Sequence, residues 1–444
     1  MLTVIALGYL LIGIFLIFFQ KGKYLVPYIL FLNIYSAWIT DLIFPLEQGD
    51  QRVFDGISKY YTYFCFVIFF FLKKKKGIDL SLLYAFGLTA IYFILIYTLR
   101  GTGPVVGLKF AISTFGSVML FYVLLLHKPK KQMIRKIVKW NLIIQLVIGG
   151  FQFLGLFHFH MNVGATSVFT NYITGSFTGN NYYAEVLSLL MILLCTFDYK
   201  DKGSLDRSTF FFIGIVLTVV LFTGVRTALL ADVIALVVLF YIYNKNKPFF
   251  KVRFLLLAAI LGVIAFFLYQ TANQDVMIVD RYAENPIERQ LNGVRQMSDR
   301  DNLEVSTVGL SLILWNYFIE SPIVGPGLFF ASPAGYGWII SEDTANSTDA
   351  TILFYMCETG LIGVLFFLWI YGLALKRYNK YKGAYITFIF IMLISITDAG
   401  FMGFAYIIYL YLSIYYDNYE RFKYEKNSVN LLSQSKAGAT GTAS

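Results

Sequence analysis

Four stretches of the sequence set polar residues that could do chemistry among apolar ones. Thr223-Gly224-Val225-Arg226 breaks an apolar run and leaves one arginine at the junction. A guanidinium there either snorkels to lipid headgroups or holds a phosphate-bearing group at a cavity rim. Residues 175–184 bring Gly175, Ser176, Asn180 and Asn181 to the start of an apolar segment. Asparagine caps such a helix, and the free N–H groups of its first turn can also hold an anion. Glu320 to Gly327 is punctuated by Pro322, Gly325 and Pro326, which end a helix and turn the chain. Asp349 opens a run that continues through Glu358, Gly360 and Gly363. Its carboxylate is either a helix cap or a general base that takes a proton from a hydroxyl.

A fifth group is dispersed. Between Lys251 and Lys376 there is no lysine, yet Arg281, Arg289, Arg295 and Arg300 stand among acids such as Asp280, Glu284, Glu288 and Asp299. They serve as salt-bridge partners for those acids, or as a planar, bidentate set for a phosphate or pyrophosphate.

The elements that must position these residues are membrane helices. Of 444 residues 58% are hydrophobic and only 14% charged, and the mean hydropathy is +0.67. Soluble domains carry about 25% charged residues, so soluble, disordered and disulfide-scaffold classes are excluded. The net charge of +10 sits in short blocks between apolar runs: Lys73 to Lys76, Lys128 to Lys139, Lys200 to Arg207, Lys245 to Arg253, Lys376 to Lys382 and Arg421 to Lys426. Such blocks mark cytoplasmic loops, and no nucleic-acid partner is expected. Cys65, Cys195 and Cys357 form no CxxC pair and read as small buried hydrophobes. His158 and His160 form an HxH without a third ligand cluster, so no metal and no cofactor are expected.

Thirteen apolar segments are predicted, at 2–20, 24–44, 53–72, 78–99, 109–127, 138–157, 181–198, 208–223, 227–243, 254–271, 351–372, 383–397 and 401–416. The first precedes its positive charges, the reverse of a signal peptide's order, and reads as a span with an external N-terminus. Alternating sides then puts every basic block on one face. The organisation is all-α: helices 1–10 within 1–271, a large external loop at 272–350, C-terminal helices at 351–416 and a cytoplasmic tail at 417–444. About 12–14 spans fit the length. A loop as long as 272–350 should contain short helices and carry function. The loop at 158–180 could dip into the membrane, which irregular backbone tolerates only when buried in protein or lining a cavity. Glu185 and Asp232 lie inside predicted spans, where acids face a cavity or a partner. They could orient Arg226, or mark a transport path.

Taken together, the motifs resemble those of the O-antigen ligase and Wzy-type polymerase superfamily. Its members share a Gly-x-Phe-x-x-x-Asn helix opener, a Thr-Gly-x-Arg junction, a Pro-x-x-Gly-x-Gly turn and a Glu-x-Gly-x-x-Gly run. Residues 175–184, 223–230, 320–327 and 349–363 match these in order. The resemblance implies a GT-C-like, metal-independent, inverting membrane glycosyltransferase of the bacterial cytoplasmic membrane, its active site facing the periplasm. It implies undecaprenyl-pyrophosphate-linked glycans as donor and acceptor, membrane lipids as surroundings, and a chain-length regulator as a further partner. Arg226 takes the family's pyrophosphate role directly, with Asn181 in the matched helix opener. Arg300, then Arg295 and Arg289, take it more loosely. Ligases carry a His-Asn pair where this chain has Asp349 and Ala350. That departure moves the expectation toward a polymerase, with Asp349, Arg226 and Arg300 as catalytic residues. Glu358 and Glu304 are alternative bases. A ligase of the same superfamily, and a flippase or other transporter of lipid-linked oligosaccharide, are the alternatives.

Overall fold

The computed structural model describes residues 8, 11–16, 24–31, 34–35, 63, 65–67, 79–101, 103–154, 156, 173, 175–176, 180–223, 225–244, 315–316, 318–325, 351–378, 382–395 and 404–422. Among them no strand occurs, and the chain is an all-α polytopic membrane protein. The longer helices are α1 (Ser81–Leu99), α2 (Pro104–Phe115), α3 (Val118–His127), α4 (Lys131–Phe153) and α5 (Asn180–Lys202). They are followed by α6 (Arg207–Thr223), α7 (Arg226–Asn244), α8 (Thr351–Tyr378), α9 (Gly383–Ile394) and α10 (Phe404–Asp417). Four stretches among the described residues are long and apolar enough to cross a membrane: Ser81–Leu99, Tyr182–Lys202, Thr227–Asn244 and Tyr355–Arg377.

The described basic blocks gather at one end. Arg377, at the end of α8, pairs with Asp79 before α1. Lys131 and Arg135 of α4 pair with Asp201 and Asp198 of α5. The Tyr415 hydroxyl of α10 donates to the Pro129 carbonyl at 2.9 Å, and the Tyr416 hydroxyl to Asp201 at 2.6 Å. From α1 to α7 the passages, with α2 and α3 as the two halves of one, therefore run alternately away from this end and back, and α8 returns to it.

α5 is the centre. It packs against α4, α6, α7, α9 and α10, and from Tyr183 to Tyr199 every residue is buried. Its apolar residues face all directions, the pattern of a helix enclosed by others. The outer helices keep one greasy stripe outward instead. On α1 it is Tyr84, Leu88, Ile91, Leu95 and Leu99, all exposed, as suits contact with lipid.

Three boundaries differ from the sequence expectation, one of them the end of α8, which runs to Tyr378 rather than 372. The span at 109–127 begins earlier, at Pro104, and is divided at Gly116-Ser117 into α2 and α3. Pro104 sits in the first turn, where its missing N–H costs nothing. At Gly116 the Tyr63 hydroxyl intrudes and donates to the Ile112 carbonyl at 2.8 Å; a Cβ on Gly116 would lie 2.0 Å from that oxygen. The span at 138–157 begins at Lys131, because Lys131 and Arg135 are neutralised by aspartates of α5 and can sit on a helix. The segments at 2–20, 24–44, 53–72 and 254–271 lie wholly or mostly outside the described residues. So does 272–350, apart from 315–316 and 318–325.

Candidate functional site

The first part of the site is a pair of helix starts. Ser188 of α5 donates to Asp232 of α7 at 2.7 Å, a sequence offset of 44. The Asn244 side-chain amide donates to the Tyr199 hydroxyl at 3.1 Å, an offset of 45, and the Tyr199 and Tyr243 rings stack at 4.7 Å. A constant offset over most of their length means that α5 and α7 run parallel and in step. It places Arg226, the first residue of α7, level with Asn181 and Tyr182 in the first turn of α5. Residues 175–184 and 223–230, far apart in sequence, thus meet at one level.

Both N-termini carry the positive end of their peptide dipoles, so their shared level favours an anion. Beneath it the carboxyl groups of Glu185 and Asp232 are fully buried. Asp232 lies six residues below Arg226, about 9 Å along the axis at 1.5 Å per residue. Glu185 is one turn above Ser188 on the same helix face. Buried acids inside a span face a cavity or a partner, and these two lie on the helices that begin at this level.

The chain reaches this level through a buried turn. Gln152 of α4 donates to the Gly175 carbonyl at 2.9 Å and accepts from the Gly175 N–H at 2.7 Å. Gln145 does the same for Ser176, donating to its hydroxyl at 2.5 Å and accepting from its N–H at 3.1 Å. The Ser176 hydroxyl then donates to the Ile34 carbonyl at 2.7 Å, and the Tyr183 hydroxyl to the Gln145 carbonyl at 3.0 Å. Gln145 lies eight residues inside the end of α4, about 12 Å along its axis. Non-helical backbone at 175–176 therefore lies beside α4 and is satisfied by two glutamines. Gly175 has φ +58, and a Cβ on it would lie 2.1 Å from the Tyr183 ring, so only glycine fits.

The second part is a neck, formed where the turn before residue 326 meets α8. The turn at Ser321 to Gly325 docks on α8, where the Leu361 N–H donates to the Pro322 carbonyl at 2.8 Å and the Ile362 N–H to the Ile323 carbonyl at 3.2 Å. Those two N–H groups are available because Gly360, at φ +64 and ψ −168, breaks the helix there. A Cβ on Gly360 would stand 2.3 Å from the Ile323 carbonyl oxygen, and one on Gly325 would stand 2.3 Å from that of Cys357.

Arg100 locks this neck. It follows α1 and directs its guanidinium at three backbone carbonyls: Glu358 at 2.9 Å, Gly325 at 2.8 Å and Val324. One of its nitrogens is also 3.7 Å from the buried Glu358 carboxylate. The Tyr97 hydroxyl donates to that same carboxylate, and the Arg100 guanidinium lies 5.6 Å from the Tyr97 ring centre. A rigid planar fork is what reaches several carbonyls at once. Glu358 is thereby a structural anchor. Thr351, the first residue of α8, precedes it by seven residues, about 10 Å along the helix.

The structure brings Asn181 and Arg226 together by their backbone level. Asp349, Arg289, Arg295 and Arg300 lie outside the described residues, as do Glu304, His158 and His160. Sequence reasoning missed Arg100, Tyr97, Gln145 and Gln152. Arg100 did leave a signal: it is a lone cation at the end of a span opposite the basic blocks, where the positive-inside rule disfavours one.

Residues 210–368 match the family model described as O-antigen ligase. The match, over less than half of the chain, supports the O-antigen ligase/Wzy-like superfamily. The matched segment takes in Arg226, the four arginines of 272–350, Asp349 and the Glu358–Gly360 neck. The chain is a multi-pass membrane protein, and the matched segment supports an enzyme of glycosyltransferase type. Arg100, the Gly175 turn and Asn181 fall before the matched segment, and the tertiary structure joins them to it. No curated protein matches the chain.

Proposed function

We propose that this superfamily member is a polymerase that joins undecaprenyl-pyrophosphate-linked oligosaccharide repeats into a surface polysaccharide on the outer face of the bacterial cytoplasmic membrane. The observation that carries the reading is the common level of the α5 and α7 starts, with Arg226 at that level and two buried acids beneath it. The donor is a growing chain on its lipid pyrophosphate. Arg226 and the paired helix dipoles stabilise the negative charge that develops on the leaving pyrophosphate, with Arg300 as the further cation from the large loop and Arg295 and Arg289 behind it. The acceptor is a lipid-linked repeat whose sugar hydroxyl Asp349 deprotonates. Oxygen attacks the anomeric carbon as the bond to pyrophosphate breaks, and the configuration inverts.

Polymerase is favoured over ligase by Asp349-Ala350, which stand where the ligases carry His-Asn. The ligase reading, in which the polymer leaves the lipid for another molecule, is supported equally by the family match.

The test is a gel of surface polysaccharide from a deletion strain, with the lipid-linked intermediates analysed beside it. A ladder collapsed to single repeats, restored by the wild-type chain and not by Arg226→Ala or Asp349→Asn, is the expected result. Long polymer accumulating on the lipid makes the protein a ligase. An unchanged ladder with Arg226→Ala removes the pyrophosphate role from Arg226.

A further inference from the structure

We infer that the basic end of α4 carries a binding site for one anionic phospholipid. A groove of about 500 Å³ runs between α4 and the helical segment 24–31. α4 contributes Met133, Lys136, Ile137 and Trp140 to it, a stripe at helical spacing, and the opposite wall is Tyr24, Pro27 and Phe31.

The charges in this region divide by face. Lys131 and Arg135 point inward and are neutralised by Asp201 and Asp198. Lys139 stands over the Phe212 ring at 5.7 Å. Lys130 and Lys136 line the groove instead, and no acidic residue lies among its lining residues. Two lysines without a carboxylate at the mouth of an apolar groove are complementary to an anion with an apolar body. The start of α4 adds to this, since Lys130 makes no side-chain cap and the helix presents its positive dipole end there.

Dimensions fix the class of ligand. Lys130 and Trp140 are ten residues apart, about 15 Å along α4. Phosphate held at Lys130 and Lys136 leaves acyl chains to run past Met133, Ile137 and Trp140 into the bilayer. Trp140 is 62% exposed, in the position of an aromatic that lies against lipid. A soluble anion would have no use for this apolar stripe, and in a zwitterionic headgroup the phosphate charge is already offset by the headgroup's own ammonium. The inference does not depend on the glycosyl-transfer reading, and its test requires no enzymatic activity.

The full chain, purified in detergent, is titrated with phosphatidylglycerol and with phosphatidylcholine and followed by native mass spectrometry. The variants are Lys130→Gln/Lys136→Gln, and Lys376→Gln/Lys382→Gln as a control at the same end of the molecule but outside the groove. At about 1 kcal/mol per lysine, the groove variant should bind phosphatidylglycerol about 30-fold more weakly, with the control unchanged. Three outcomes overturn the site: affinity of the groove variant within threefold of wild type, an equal loss in the control, or wild-type binding of phosphatidylcholine as tight as that of phosphatidylglycerol. Displacement of the lipid by excess inorganic phosphate would make it a phosphate site and overturn the proposal as well.

Discussion

Replacing Arg100 with methionine removes the group that binds three carbonyls of the neck and faces the buried Glu358. Breaking a buried ion pair from one side costs about 3–5 kcal/mol, because the partner is left uncompensated. The Arg100 side chain is 16% exposed, so water reaches part of the vacated space and the expected cost is near the lower limit, about 3 kcal/mol. Cys357, next to Glu358 and fully buried, reports on the neck directly. With Cys65 and Cys195 replaced by serine it is the single remaining thiol, and it alkylates only when the neck opens. A loss of about 3 kcal/mol in opening free energy should raise the alkylation rate about 150-fold, 1.4 kcal/mol being a factor of ten. Arg100→Lys keeps the charge without the fork and should show a smaller rise, about tenfold. Adding Glu358→Gln to Arg100→Met relieves the stranded charge and should recover part of the loss. The share belonging to the three carbonyls will remain. An Arg100→Met rate within threefold of the parent refutes the clamp.

Three further outcomes follow from the same geometry. Gly360→Ala forces a Cβ to 2.3 Å from the Ile323 carbonyl at a left-handed φ, so it should destabilise the neck by at least about 1–2 kcal/mol and raise Cys357 alkylation at least about fivefold; an unchanged rate would mean that the turn does not dock there. Gln152→Leu strands the buried N–H and C=O of Gly175 at about 1–3 kcal/mol each, and in a membrane assay it should lower transferase activity by displacing the start of α5 while Gln152→Glu retains more of it. Asp417, at the basic end, is pushed up to about 7 by burial, against the pull of the Ala384 N–H that it accepts and of Lys200 and Lys131. Its protonated form therefore favours the fold: the contribution is complete below about pH 4 and is lost as pH rises through about 7. Thermal unfolding of Asp417→Asn beside wild type should show the variant gaining relative stability between pH 5 and pH 8, and no change in the difference between them would count against the burial effect.

The class of fold and most ends of the described helices were legible in the amino-acid order. Apolar run length and charge placement act locally, through the cost of exposing polar groups to hydrocarbon, so α5, α6, α7 and the start of α8 lie within a few residues of their predicted positions. The punctuation at 320–327 was readable for the same reason, since proline and glycine constrain their own backbone. Which motifs meet depends on the packed bundle. Nothing local tells that α5 and α7 run in step, that Gln145 and Gln152 satisfy a turn more than twenty residues away, or that Arg100 reaches carbonyls some 225 to 258 positions along the chain. These are pairings of buried polar groups, chosen by the requirement that every one of them find a partner once water is excluded. That requirement can be met only when the whole bundle has closed around them.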